Sequence, residues 1–145
     1  MGIDKLGHYS VRTTDVATSR DFYVEILGLR VGTRPDFPFP GAWLYLGDDE
    51  TDFGVVHIVG IDPENSGGLG DYLGDRDATT LKGSGAVDHM AFLATDWASL
   101  RNRCDTAGIV YSKRVVPALG LLQIFLTDPS GVTIELNFPA EEASR

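Results

Sequence analysis

A chain of 145 residues, 43% hydrophobic and 23% charged, suits one soluble globular domain with its own core. Its formal net charge of −9 argues against nucleic acid or an anionic membrane surface as a partner, and no apolar run nears the roughly 20 residues that cross a bilayer. The opening "MGIDKLG" lacks a signal-peptide core and a myristoylation pattern, and the single cysteine, Cys104, has no partner for an internal disulfide, so a cytoplasmic protein is expected.

In chain order, His8 is followed by an extended run, "YSVRTT", and then by Asp15, a residue suited to cap a helix. The stretch "VATSRDFYVEILG" repeats apolar residues at helical spacing (Val16, Phe22 or Tyr23, Ile26 or Leu27), with Gly28 as its stop. Three strand-like runs come next: "LRVGTR", "AWLYLG" and "FGVVHIVG". A stretch rich in Gly and Asp, about residues 61–84, reads as an exposed linker. Its glycines fit neither phosphate-loop nor dinucleotide spacing.

The same order then returns. His89 precedes "MAFLAT", Asp96 is the next cap, and "WASLRNRCDTAG" carries Trp97, Leu100, Cys104 and Ala107 along one stripe before Gly108. Cys104 on that stripe reads as a small buried thiol. The strand-like runs are "IVYSKRVV", "LLQIFLTD" and "VTIELNF", the last two joined by a type I turn over Asp128-Pro129-Ser130-Gly131. Each half therefore reads β-α-β-β-β, an α+β arrangement with module 1 at about 5–60 and module 2 at about 85–139.

Alternation along the final strand puts Val132, Ile134, Leu136 and Phe138 on one face and Thr133, Glu135 and Asn137 on the other. Glu135 thus points away from the helix-packed side. His57 occupies the matching place in the first half: His8 to His57 is 49 residues, and His89 to Glu135 is 46. All three histidines and this glutamate fall on equivalent positions, one on the first strand and one on the last strand of each module. Such a set suits a divalent Fe, Mn, Co, Ni or Zn ion. Ser10 and Arg12 share a strand face with His8, and Gln123 lies on the strand beside Glu135, so these are candidates for substrate contacts. Trp43 and Tyr45 share one face of "AWLYLG" and are candidates for an aromatic pocket.

Over about residues 5 to 139, the segments "LGHYSVRTTDVATSRDFYVEILGLRV", "VDHMAFLATD" and "DPSGVTIELNF" resemble the vicinal oxygen chelate superfamily. That group includes glyoxalase I, methylmalonyl-CoA epimerase, resistance proteins for bleomycin and fosfomycin, and extradiol dioxygenases. The resemblance implies two curved mixed sheets around a metal cleft with the helices outside, and usually a homodimer. It implies His8, His89 and Glu135 as a His-His-Glu triad, with His57 at a fourth position that relatives fill with Glu or Gln. The implied activity is that of a lyase or isomerase. It acts on a small molecule with two neighbouring oxygens through a metal-stabilised enolate or enediolate, with Glu135 moving the proton. An Fe(II) extradiol-type dioxygenase is the alternative. The sequence lacks the histidine that those enzymes carry several residues before an aromatic-Tyr pair leading into the Asp-Pro turn, and Leu126 stands where they carry that tyrosine. A metal-free drug-binding protein is the third possibility. Glutathione as cosubstrate would need cations, for which Arg12, Arg34 and Lys113 are available.

Overall fold

In a computed structural model of the chain, which describes residues 2, 5–51, 53–64, 68–69 and 81–144, two units are distinguished: Met1–Leu81 and Lys82–Arg145. Most of the stretch read as a linker, residues 65–67 and 70–80, lies outside the described residues.

The first unit contains β1 (Tyr9–Thr13), α1 (Val16–Asp21), β2 (Arg30–Val31), β3 (Gly41–Tyr45) and β4 (Val56–Gly60). They form an open mixed sheet in the order β1-β4-β3-β2, with β1 parallel to β4 and the other pairs antiparallel. Residue alternation builds its two faces. Val11, Ala42, Leu44, Val56 and Ile58 are buried on the face that meets the helix. Ser10, Arg12, Trp43, His57 and Val59 stand on the other. Asp15 caps α1 as expected, its carboxylate accepting from the Thr18 N–H at 3.0 Å, and Gly28 closes the helical region at φ 78°.

The helical stretch departs from the sequence expectation in its second half. Phe22–Ile26 is a π-helical turn, with the Leu27 N–H donating to Phe22 O, five residues back, at 3.4 Å. Widening the turn lets neighbouring residues face inward together. Phe22, Tyr23 and Ile26 are all buried, and the Tyr9 hydroxyl donates to that of Tyr23 at 3.1 Å. The expected strand "LRVGTR" shrinks to two residues. A Cβ on Gly32 would lie 2.5 Å from the Tyr45 ring, and Pro35, Pro38 and Pro40 break the pattern beyond it, so the chain leaves the sheet there.

The second unit contains β5 (Met90–Leu93), α2 (Trp97–Ala107), β6 (Tyr111–Val116), β7 (Leu121–Thr127) and β8 (Thr133–Pro139). Its sheet order, β5-β8-β7-β6, repeats the first, again with the outer strand β5 parallel to β8. Trp97, Leu100 and Cys104 form the buried stripe of α2, and Trp97 meets Tyr111 and Phe138 edge to face at 5.3 and 5.9 Å. Ile134, Leu136 and Phe138 of β8 are buried beside Leu122, Ile124 and Leu126 of β7. Ala107 is exposed rather than on the stripe, because it is the last helical residue before Gly108 at φ 68°. The turn before β8 is held by Asp128, whose carboxylate accepts from the N–H groups of Ser130 and Val132 at 2.9 and 2.8 Å. Among the described residues no helix is long and apolar enough to cross a membrane.

Candidate functional site

In the second unit, β8 presents Glu135 away from the helix. Glu135 is only 8% exposed, so its carboxylate needs partners, and it has them on both oxygens. Oε1 accepts from Gln123 Nε2 at 2.9 Å and from Asn137 Nδ2 at 2.7 Å. The strand register explains both. Asn137 is two residues along the same face, and Gln123 sits opposite Asn137 on β7. The Gln123 amide is fixed in turn by Arg114, whose guanidinium donates to its Oε1. Gln123, expected to contact substrate, is therefore committed to holding Glu135.

Glu135 Oε2 faces His89 Nε2 at 2.9 Å, while His89 Nδ1 meets Asp88 Oδ2 at 2.7 Å. His89 lies one residue before β5 and is about one-third exposed. An imidazole can donate from both nitrogens only when it is protonated. The hydrogen bond to Asp88, with the charges of Glu135 and Asp88 adding to it, holds the His89 pKa above the ordinary 6.5. Asp88 and Asn137 are hydrogen-bond partners of His89 and Glu135 that the sequence reading did not name as site residues. Adjacency to His89 and the two-residue strand period were the available signals.

In the first unit, His8 is exposed just ahead of β1, and His57 is buried in β4. Their rings stack at 3.7 Å and 17°, and Trp43 stacks on His57 at 4.1 Å and 7°. The cross-strand register of Trp43 and His57 makes the second contact possible. His57 Nε2 donates to Phe53 O at 2.7 Å. Burial foremost, then nearby His8 and Arg34, keeps its pKa below 6.5 against the opposing effect of that hydrogen bond. The lone pairs of an imidazole lie in its ring plane. Two nearly parallel rings 3.7 Å apart therefore aim at different points, and His8 and His57 cannot serve one ion without one of them turning.

Ser10 is exposed and Arg12 half-buried, both on the His57 face of the sheet. Tyr45 lines no open pocket. Its ring is buried over Gly32 beneath Arg30, and its hydroxyl donates to Thr33 O at 2.5 Å.

A divalent ion binds nitrogen and oxygen ligands at about 2.1 Å, which places neighbouring ligand atoms about 2.9–3.4 Å apart. The His89 and Glu135 atoms already stand 2.9 Å apart, so this pair fits an ion that displaces one proton. Asp88 would keep the outer N–H of the ring, the usual support for a metal-bound histidine. Among the described residues, no three of His, Cys, Asp and Glu gather where they would hold an ion together.

The model of the Glyoxalase/Bleomycin resistance protein/Dioxygenase superfamily matches residues 5–136. Among solved structures, the chain is similar to lactoylglutathione lyase from Agrobacterium tumefaciens at 17% identity, covering 99% of both chains with a TM-score of 0.59. It is similar to the fosfomycin resistance protein FosX from Listeria monocytogenes at 14% identity, covering 97% of both chains with a TM-score of 0.62. It is also similar to TnmS3, an antibiotic binding protein from Streptomyces sp. CB03234, at 21% identity. That match covers 96% of this chain and 98% of the other, with a TM-score of 0.58. No curated protein sequence matches the chain.

Proposed function

Because the chain belongs to the Glyoxalase/Bleomycin resistance protein/Dioxygenase superfamily, we propose that it is a divalent-metal-dependent lyase or isomerase. Its substrate is a small molecule with two neighbouring oxygens, and the enzyme works as a cytoplasmic homodimer. The observation that carries this reading is the His89–Glu135 pair, a nitrogen and a buried oxygen 2.9 Å apart with their other atoms occupied. His89 and Glu135 are two of the ligands. In the sequence reading His8 and His57 are the others, and His57 could ligate only after giving up its hydrogen bond to Phe53.

When bound, the ion would supply Lewis acidity to an oxygen pair and so make a neighbouring C–H more acidic. The rest of the work falls to side chains. Gln123 and Asn137 fix one oxygen of Glu135, so Oε2 is the atom that would hold the ion and that, when released from it, would receive and return a proton. Asp88 holds His89 by its Nδ1–H and fixes which ring nitrogen faces the site.

A second reading, a metal-free small-molecule binding protein, is favoured by the stacked His8, His57 and Trp43 rings and the engaged His57 Nε2. The discriminating experiment monitors solvent deuterium incorporation next to the carbonyl of the methylglyoxal–glutathione hemithioacetal and of small 2-oxo acids. Metal-loaded protein should catalyse exchange, and Glu135→Gln should lose it at least a hundredfold. Oxygen uptake with catechols instead of exchange makes the dioxygenase reading correct. Saturable binding without either reaction makes the second reading correct.

A further inference from the structure

The His57 face of the first unit holds an aromatic group that the proposed proton transfer does not use. Trp43 is half-buried, with one ring face covered by His57. Among the described residues no ring stacks in parallel on its other face. Phe37 flanks it at 6.1 Å and 47°, and Phe53 at 6.3 Å and 78°. Phe53 is 67% exposed and stands at φ 60°. A bulky residue in that region is strained, and burial does not compensate for it here. Among the described residues, then, an exposed, strained phenylalanine stands edge-on to a tryptophan whose second face carries no stacked ring.

A cation lies beside this wall. Arg34 reaches across β3 where Gly41 has no side chain; a Cβ there would come within 3.2 and 3.3 Å of Arg34 Nη2 and Nε. Its guanidinium is 5.0 Å from the Phe37 ring centre and 5.2 Å from that of Phe39. Nη2 donates to Phe39 O at 2.8 Å and Nη1 to Pro35 O at 3.5 Å. Two carbonyls use two of the five N–H groups of a guanidinium, and among the described residues no carboxylate lies within salt-bridge distance of it. A half-buried guanidinium with spare N–H donors is suited to a carboxylate.

We propose that Trp43, Phe37, Phe53 and Arg34 form a subsite for a planar aromatic carboxylate, the ring stacking on the face of Trp43 opposite His57 and the carboxylate taken by Arg34. As a statement about substrate, this rests on the proposed metal-dependent function. The subsite itself requires no metal, so its test uses metal-stripped full-length protein.

The probe is 2-naphthoate, with binding measured by calorimetry, and with 2-naphthalenemethanol and cyclohexanecarboxylate for comparison. Wild type should bind 2-naphthoate saturably and each comparison compound at least tenfold more weakly. Arg34→Gln should lose at least tenfold for 2-naphthoate while leaving the alcohol within twofold, and Trp43→Ala should weaken both. Phe53→Gly separates binding from folding, because glycine accepts a positive φ. This variant should melt no lower than wild type yet bind at least fivefold more weakly. Absence of saturable binding at millimolar 2-naphthoate, or an unchanged affinity in Arg34→Gln, overturns the subsite. Naphthoate binding by a protein that takes up no metal leaves the subsite standing and removes the metal-dependent function; the reverse result does the opposite.

Discussion

Two histidines of this chain have their pKa values moved in opposite directions by their surroundings. His89 lies between two carboxylates and is drawn toward the imidazolium, chiefly by its bond to Asp88. His57 is buried against Trp43, and its pKa is lowered, chiefly by desolvation. The signs of their pH effects come from linkage. A raised folded pKa gives His89 a stabilising contribution in metal-free protein that is complete below 6.5 and lost as pH rises through the folded value. A lowered one gives His57 a contribution present above 6.5 and lost as pH falls toward the folded value. Urea midpoints of metal-free protein between about pH 5 and 8 should therefore lose their acid-side decline in His57→Gln and their alkaline-side decline in His89→Gln. If both variants keep the wild-type profile, these pKa directions are misassigned. Metal binding needs an unprotonated Nε2 on His89, so ion affinity should fall as pH drops through its raised pKa.

At the scale of elements, strands and caps were legible because they obey simple local rules. Asp15 and Asp96 cap their helices as residue type suggests, the second accepting from the Ser99 N–H at 3.3 Å. Less was legible where the cause lies far away in the chain. The π-helical turn at Phe22–Ile26 answers to the packing of Tyr23 under Tyr9, and the loss of β2 after Val31 answers to Tyr45. The same holds for the site. Glu135 was legible from strand alternation, whereas the Phe53 carbonyl that engages His57 comes from an irregular segment without period. Glu142 is a further case: a short 3-10 helix, Ala140–Ser144, brings its buried carboxylate to the start of α2, where it accepts from the Trp97 N–H at 2.7 Å and from the Asp96 N–H at 3.3 Å. Glu142→Ala should destabilise the protein by about 1–3 kcal/mol in chemical denaturation, and exposed Glu141→Ala by less than about 0.5 kcal/mol. Equal effects would show that this cap carries no weight.

For the whole molecule, both units use one strand order with the outer strand parallel to its neighbour, as the doubled sequence pattern requires. Each sheet is open, so each keeps two edges, and exposed apolar residues such as Leu93, 89% accessible on the edge strand β5, are suited to being covered by a second copy. Sedimentation at micromolar concentration should find a species of twice 15.7 kDa; a monomer alone would contradict the proposed dimer. The central claim is that His89 and Glu135 hold a divalent ion, and metal analysis of anaerobically purified protein tests it most directly. Wild type should carry about one ion per chain. His89→Ala and Glu135→Ala, with unchanged circular dichroism, should each carry less than about a tenth of that, a loss expected when a ligand is removed. Stoichiometry unchanged in both folded variants would contradict the claim.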